Sequence, residues 1–146
     1  MINFIEGEIN SGGKSISIIS DYEYLNSISE EGSVEKRRDP DGGEPYFYVE
    51  AVADGMRFGI FISLRARKID WIRLSWLDSS MKGWGDVSEN AVKGEYRLFL
   101  NLIEKMVGRP PDNKKDKLRS WDLKWGQLNV SNDLRTFQAD IYMRPR

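Results

Sequence analysis

The segment from Ser88 to Gly108 constrains the fold most, because it is the one long stretch with clear helical periodicity. Its apolar residues recur three or four positions apart and share one face: Val92, Tyr96, Phe99, Ile103 and Met106. Ser88 is suited to an N-cap, and Gly108 before Pro110 is a stop signal. Leu98 and Leu102 widen the apolar arc, so we expect more than one side to be covered. Such a helix needs a sheet to lie on.

Alternating apolar residues predict the strands of that sheet. Residues Tyr46–Ala53 and Met56–Leu64 flank Asp54-Gly55, which is a strong signal for a two-residue hairpin turn. A third strand is predicted over Ile69–Leu77, so the three strands form an antiparallel meander. Trp121–Val130 and Thr136–Met143 predict a second hairpin near the end of the chain.

The N-terminal third predicts shorter elements. Ile2–Ile9 and Ser15–Ile19 have the pattern of strands. Ser20 and Glu23 match a capping box, which predicts a helix over Asp21–Glu30. The apolar face of this helix is formed by Tyr24, Leu25 and Ile28.

Two charged segments are predicted to be loops. Residues 36–45 contain two prolines and two glycines, which is incompatible with regular structure. Asp39 and Asp41 in this segment lack the ligand spacing of a calcium loop, so metal binding is not expected. Residues 109–117 are also charged and contain proline.

The order of elements predicts an α+β fold. It consists of a mainly antiparallel sheet, made of the meander and terminal hairpins, packed by one long helix, with a second short helix. We expect residues 1–146 to form a single globular domain, because a chain of this length can bury a core unaided.

The chain contains neither cysteine nor histidine. It therefore has no imidazole base, no Ser-His or Cys-His nucleophile, and none of the usual zinc ligands. A carboxylate-dependent enzyme is the weakest interpretation, and we expect no catalysis, no metal and no cofactor. The absence of cysteine fits a reducing cytoplasm. No run of about 18 apolar residues predicts a membrane span.

Charge is unevenly distributed along the sequence. Residues 1–50 contain 11 acidic and 4 basic residues, whereas the remainder carries a net positive charge. One interpretation is an acidic surface that binds a basic protein partner. The simpler interpretation is that folding mixes the two halves. The candidate partner-binding residues are Glu30, Glu31, Glu35, Asp39, Asp41 and Glu44, together with Trp71 and Trp84.

The tryptophans offer a second kind of candidate site. Trp71, Trp84, Trp121 and Trp125 could stack on bases or sugars, or they could simply pack in the core, which is the commoner outcome. Trp71 is expected on the strand face opposite the core, beside Arg73, and Trp84 lies in a glycine-rich loop. Two basic clusters, at residues 65–68 and 114–119, have no nucleic-acid-binding motif around them.

The region from residue 88 to residue 143 resembles small bacterial immunity proteins, which are encoded beside secreted or contact-delivered toxins. The resemblance lies in the helix ending Leu-Ile-Glu-Lys-Met-Val-Gly-Arg-Pro, the Trp-Asp-Leu-Lys-Trp-Gly segment, and Ser-Asn-Asp-Leu-Arg before an alternating strand. It implies a non-catalytic cytoplasmic inhibitor that binds a toxin domain. A nucleic-acid-associated or regulatory domain, using basic loops and exposed tryptophans, is the alternative.

Overall fold

The computed structural model of the chain describes residues 1–81 and 84–146, the side chain of residue 84 excepted. In these described residues, two helices and two antiparallel sheets make up an α+β fold, which confirms the predicted class. The smaller sheet contains β1 (Ile2–Asn3), β2 (Glu8–Ser11) and β3 (Lys14–Ser17), and α1 (Tyr22–Glu30) follows it.

The larger sheet has eight strands in the order β4-β5-β6-β7-β11-β10-β9-β8. Its strands are β4 (Glu35–Arg37), β5 (Tyr46–Ala53), β6 (Met56–Arg65), β7 (Lys68–Trp76), β8 (Asn113–Lys115), β9 (Leu118–Leu123), β10 (Gly126–Asp133) and β11 (Gln138–Pro145). A 3₁₀ turn (Trp84–Asp86) and the long helix α2 (Glu89–Val107) connect β7 to β8. The predicted meander is β5-β6-β7, and the chain then returns to place β11 beside β7.

The ends of α2 lie where the sequence predicts. The Ser88 side chain accepts a hydrogen bond from the Ala91 N–H at 3.0 Å, and Gly108 closes the helix with a φ of 85°. Phe99 and Ile103 are fully buried against the sheet. The prediction that Leu98 widens the buried arc is wrong, because its side chain is 38% exposed. The helix packs mainly on β10 and β11, and its buried residues lie on one face.

Replacing Gly94 by alanine is expected to stabilise the protein by about 0.5–1 kcal/mol. Gly94 lies on the exposed side of α2, and an added Cβ would meet no atom within 4 Å. Urea unfolding checks this value. The control is Gly108→Ala, where the surroundings are equally open but φ is positive, so that stability should fall. Equal effects of the two substitutions would contradict the helix-propensity argument.

The N-cap of α1 differs from the predicted one by a single residue. Asp21, rather than Ser20, accepts the hydrogen bond from the Tyr24 N–H, at 3.0 Å. The Ser20 hydroxyl instead accepts from the Ser17 N–H, and Glu23 pairs with Arg67 instead of folding back on the cap. Of the predicted apolar face, Leu25 and Ile28 are buried but Tyr24 is exposed.

Two strand predictions and two loop predictions are wrong. Ile2–Ile9 is not one strand, because β1 and β2 fold back and make Ile2 and Ile9 cross-strand partners. Trp121–Val130 is divided by a tight turn between β9 and β10. The two predicted loops contain the edge strands β4 and β8, since an edge strand needs only backbone pairing and tolerates charged side chains well.

One face of the large sheet forms the core. Helix α2 packs against β10 and β11, and the small sheet packs against β5. The buried apolar side chains of these elements belong to one cluster, with Phe47, Phe58, Phe99 and Trp121 among the largest. The opposite sheet face is called the open face below.

Candidate functional site

The strand register aligns one residue of each strand into a row that crosses the whole open face. This central row consists of Glu35, Tyr48, Phe61, Arg73, Tyr142, Asn129, Ser120 and Asn113. Because side chains alternate between faces, these residues point away from the face on which Phe47, Ile62 and Ile72 are buried. The row is therefore a continuous band of aromatic, arginine and hydrogen-bonding groups.

An aromatic cluster covers the β4–β7 half of the open face. The rings of Tyr48 and Phe61 lie 5.1 Å apart, and Tyr46 lies 6.3 Å from Phe61. The Arg37 guanidinium lies 4.1 Å above the Tyr48 ring, and that of Arg73 lies 4.6 Å above Phe61. Such cation–π contacts each contribute about 0.5–1 kcal/mol at exposed sites and also fix the direction of the guanidinium.

A cavity of 580 Å³ lies on the other half of the same face, and we call it the open-face cavity. Trp71 and Tyr142 meet edge to face in its wall, with ring centroids 6.0 Å apart. The other lining residues are Arg73, Leu118, Gln127, Asn129, Ser131 and Arg144. Residues of four neighbouring strands thus surround one depression, as a curved sheet allows.

Arg73 joins the aromatic cluster to the open-face cavity. Its guanidinium lies 3.6 Å from a carboxylate oxygen of Asp140, and Asp140 is 7% exposed. Burial raises the pKa of Asp140, and the positive charge of Arg73 opposes that rise. Arg73 is consequently held in place by a ring below it and a carboxylate beside it.

The floor of the open-face cavity is ordered by side-chain hydrogen bonds. The Ser120 hydroxyl donates to Asn129 Oδ1 at 2.7 Å, and both residues are buried. Burial raises the pKa of the Tyr142 phenol, with a further rise from Asp140, while Arg73 and Arg144 lower it. The phenol is therefore neutral at neutral pH, and its O–H is a hydrogen-bond donor.

The predicted acidic residues do not form one patch. Glu30 and Glu31 end α1, whereas Asp39, Asp41 and Glu44 lie in the loop before β5, and Glu35 alone is on the open face. Glu31 pairs with Lys14 and Glu35 with Arg37, each at 2.9 Å. Folding thus mixes acids with bases in this region.

Of the predicted tryptophans, Trp71 lies on the open face as expected and is half-buried beside Tyr142. The side chain of Trp84 lies outside the described residues. Trp121 is fully buried and donates from Nε1 to the Arg109 carbonyl, while Trp125 donates to the Phe4 carbonyl. The packing interpretation holds for these last two.

Sequence reasoning missed Tyr48, Phe61 and Tyr142 as site residues. The signal was present, because Phe61 lies between Ile60 and Ile62, which are both fully buried, and so must point to the other face. What the sequence lacked was the pairing of β7 with β11, which brings Tyr142 beside Arg73.

The basic clusters lie at opposite ends of the large sheet. Residues 65–68 form the β6–β7 turn, whereas residues 115–118 form the β8–β9 turn. Because every neighbouring pair from β7 to β8 is antiparallel, the two turns lie at opposite ends of the strands and form no continuous phosphate track. Within residues 1–81 and 84–146, no three acidic side chains group as metal ligands would.

A second, smaller cavity of 220 Å³ lies where α2 approaches β7 and β11. Glu95 is buried there at 8% exposure, and its carboxylate accepts a hydrogen bond from the Ser79 hydroxyl at 2.5 Å. Burial raises the pKa of Glu95, the Ser79 hydrogen bond lowers it, and the charge of Asp140 raises it further. The helical pattern did contain a signal for this residue, because Glu95 lies three positions after Val92 and four before Phe99, on the same face of the helix.

Glu95→Gln is expected to raise the free energy of unfolding at pH 7. The folded-state pKa of Glu95 lies above its ordinary value. At pH values between the two pKa values, the folded protein therefore holds a proton that the unfolded chain has released. Stability from this group is therefore present below about pH 4.3 and is lost as the pH rises through the folded-state pKa. Urea unfolding over a pH series should show that the free energy of unfolding decreases less with rising pH in Glu95→Gln than in the unsubstituted protein.

The control for this measurement is Glu89→Gln on the same helix. Glu89 is exposed, and its ion pair with Lys93 lowers its pKa, so its contribution has the opposite sign and is lost as the pH falls. An unchanged pH dependence in Glu95→Gln would show that burial of this carboxylate has no energetic consequence.

No helix in the described part of the chain is both long and apolar enough to cross a membrane. Comparison of the chain with protein-family models, with curated proteins and with solved structures gave no match.

Proposed function

We propose that this protein is a non-catalytic, cytoplasmic protein-binding factor, an immunity-like inhibitor of a cognate bacterial toxin, which binds its partner with the open face. Three observations support the proposal. The sequence contains no histidine or cysteine, residues 88–143 resemble immunity proteins, and the open face concentrates the residue types that dominate protein interfaces.

The composition of the central row carries the proposal. Four of its eight members are Tyr48, Phe61, Arg73 and Tyr142. Aromatic residues and arginine are enriched at the centres of interfaces, and tyrosine and arginine are among the commonest hot-spot residues. These four form a contiguous stretch across β5, β6, β7 and β11, as a central anchor region would require.

The size of the open face suits a stable interface. Eight strands at about 4.8 Å spacing span about 34 Å, and the strands have on average about seven residues, which span about 23 Å. The product, about 800 Å², is close to the roughly 800 Å² that each partner buries in a standard complex. One partner domain could therefore cover the whole face.

The charges on this face favour a protein over nucleic acid as the partner. Arg37 and Arg73 are paired with Glu35 and Asp140, so two of the arginines are not available as phosphate contacts. Mixed charge beside aromatic rings suits a protein surface. A nucleic acid, in contrast, needs a row of lysine or arginine side chains that are not paired with acids. The alternative of a nucleic-acid-associated domain therefore has less support.

Tyr142→Ala is expected to weaken partner binding by about 10- to 100-fold, which corresponds to truncating one hot-spot side chain. The partner is first captured from the native organism and identified by mass spectrometry, and its affinity is then measured by calorimetry. Leu98→Ala, on the outer side of α2, is the control and should leave affinity unchanged.

Two results would overturn the proposal. One is recovery of nucleic acid without any protein in the capture experiment. The other is a captured partner whose affinity is unaffected by Tyr142→Ala and by Phe61→Ala. If co-expression of this protein protects cells that express the captured partner, the proposal that it inhibits a toxin is supported. If it gives no protection, that element of the proposal is withdrawn.

A further inference from the structure

We infer that the open-face cavity binds a glutamate side chain of the partner protein, with Arg144 as its counter-charge. The inference rests on the proposed function and deepens it, since it names the chemistry that the partner must present. It is carried by the hydrogen-bond donors of the cavity, by an unpaired cation and by an aromatic wall.

The polar groups around the cavity are mainly donors. Because Asn129 Oδ1 accepts from Ser120, the amide nitrogen of Asn129 remains as a donor. The Tyr142 phenol stays protonated, and the hydroxyl of Ser131 and the guanidinium of Arg144 line the same cavity. A ligand that fits these groups must be an acceptor with several lone pairs, and an ionised carboxylate is such a group.

Arg144 differs from three other arginines of the open face. Arg37, Arg57 and Arg73 are ion-paired with Glu35, Asp78 and Asp140, respectively. Among the residues that the structure describes, no carboxylate forms a salt bridge with Arg144. It is exposed at the rim of the cavity, so that its charge is available to a partner.

The apolar part of the cavity selects a glutamate. The Trp71 ring and Leu118 offer surface to methylene groups, and a glutamate has two methylenes before its carboxylate. A nucleotide fits less well, because its phosphates would meet a single unpaired guanidinium, that of Arg144, while Arg73 in the same cavity is already paired with Asp140. The cavity thus favours a monovalent acid on a short apolar stem.

The test is an NMR titration of the isotope-labelled protein with N-acetyl-glutamate α-amide. We expect a saturable shift of the Trp71 indole N–H signal with a dissociation constant of about 1–50 mM, as suits so small a ligand. N-acetyl-glutamine α-amide is the matched neutral ligand and should bind at least about tenfold more weakly.

Arg144→Gln should weaken binding of the glutamate derivative by about tenfold or more. Arg65→Gln removes one positive charge at a position outside the cavity and should not weaken it. Absence of saturation, equal shifts with the glutamine derivative, or equal affinity in Arg144→Gln would each overturn the inference. If adenosine monophosphate shifted the same signals and bound more tightly than the glutamate derivative, the inference would be overturned in favour of a nucleotide site.

The outcome is separable from that of the proposed function, because this titration needs no partner. If the derivative does not bind but the captured partner still depends on Tyr142, the inference fails and the proposed function stands. If the derivative binds but no partner depends on the open face, the cavity is a small-molecule site and the proposed function fails.

Discussion

Phe99→Ala is expected to lower the free energy of unfolding by about 3–5 kcal/mol. The Phe99 side chain is fully buried. Its ring lies 6.0 Å from Phe58 on β6 and 6.3 Å, edge-on, from Trp76 on β7, so its removal leaves a cavity between helix and sheet. Rigid strands on one side limit how far the site can collapse, which keeps the cost near the upper part of the range.

The neighbouring substitution Leu98→Ala provides the matched control. It truncates a large apolar side chain of the same helix, one position away, but Leu98 is 38% exposed. Urea unfolding should give a loss within about 1 kcal/mol for Leu98→Ala, since little buried surface is removed. If Phe99→Ala cost less than about 1 kcal/mol as well, α2 would be peripheral to the core.

The contrast between these two residues also shows what helical periodicity can predict. It identifies the buried stripe through Val92, Phe99 and Ile103, because the spacing of 3.6 residues is local information. It cannot predict how wide the covered arc is. That width depends on how the strands beneath α2 are arranged, and α2 packs mainly on β10 and β11, with Phe99 reaching β6 and β7.

The strands were predictable where turn chemistry was explicit. Asp54-Gly55 marks the β5–β6 hairpin, and the structure contains it with a positive φ at both positions. The β9–β10 turn, by contrast, is Lys124-Trp125, which contains none of the usual turn residues. The sequence pattern therefore predicts one strand where the structure has two, β9 and β10. With that error, the eight-stranded width of the sheet could not be predicted.

The candidate site was predictable only in part, for a topological reason. Trp71 and Arg73 could be placed on the face opposite the core, because alternation along one strand is local. Their neighbours Tyr142, Asn129 and Arg144 come from strands more than fifty residues later, and the β7–β11 pairing that joins them is long-range. The acidic residues could be identified from the sequence. Their ion pairs, Glu31 with Lys14 and Glu35 with Arg37, could not.

Gly126→Ala is expected to cost more than about 4 kcal/mol, which would leave little or no folded protein. Gly126 opens β10 with a φ of 155°, and a Cβ there would lie 2.0 Å from the Arg144 carbonyl oxygen. That atom belongs to the backbone of β11, which is paired with β10 along its length. The clash can therefore be relieved only by separating the two strands.

The same two strands carry Gln127, Asn129, Tyr142 and Arg144, so this close approach also holds the open-face cavity together. Gly108→Ala is the control, because it combines a positive φ with open surroundings and measures backbone strain alone, about 1–2 kcal/mol. Circular dichroism and urea unfolding compare the two variants. Equal costs would mean that β11 moves away without loss of stability, and the Arg144 side chain would then have no fixed position from which to bind a partner.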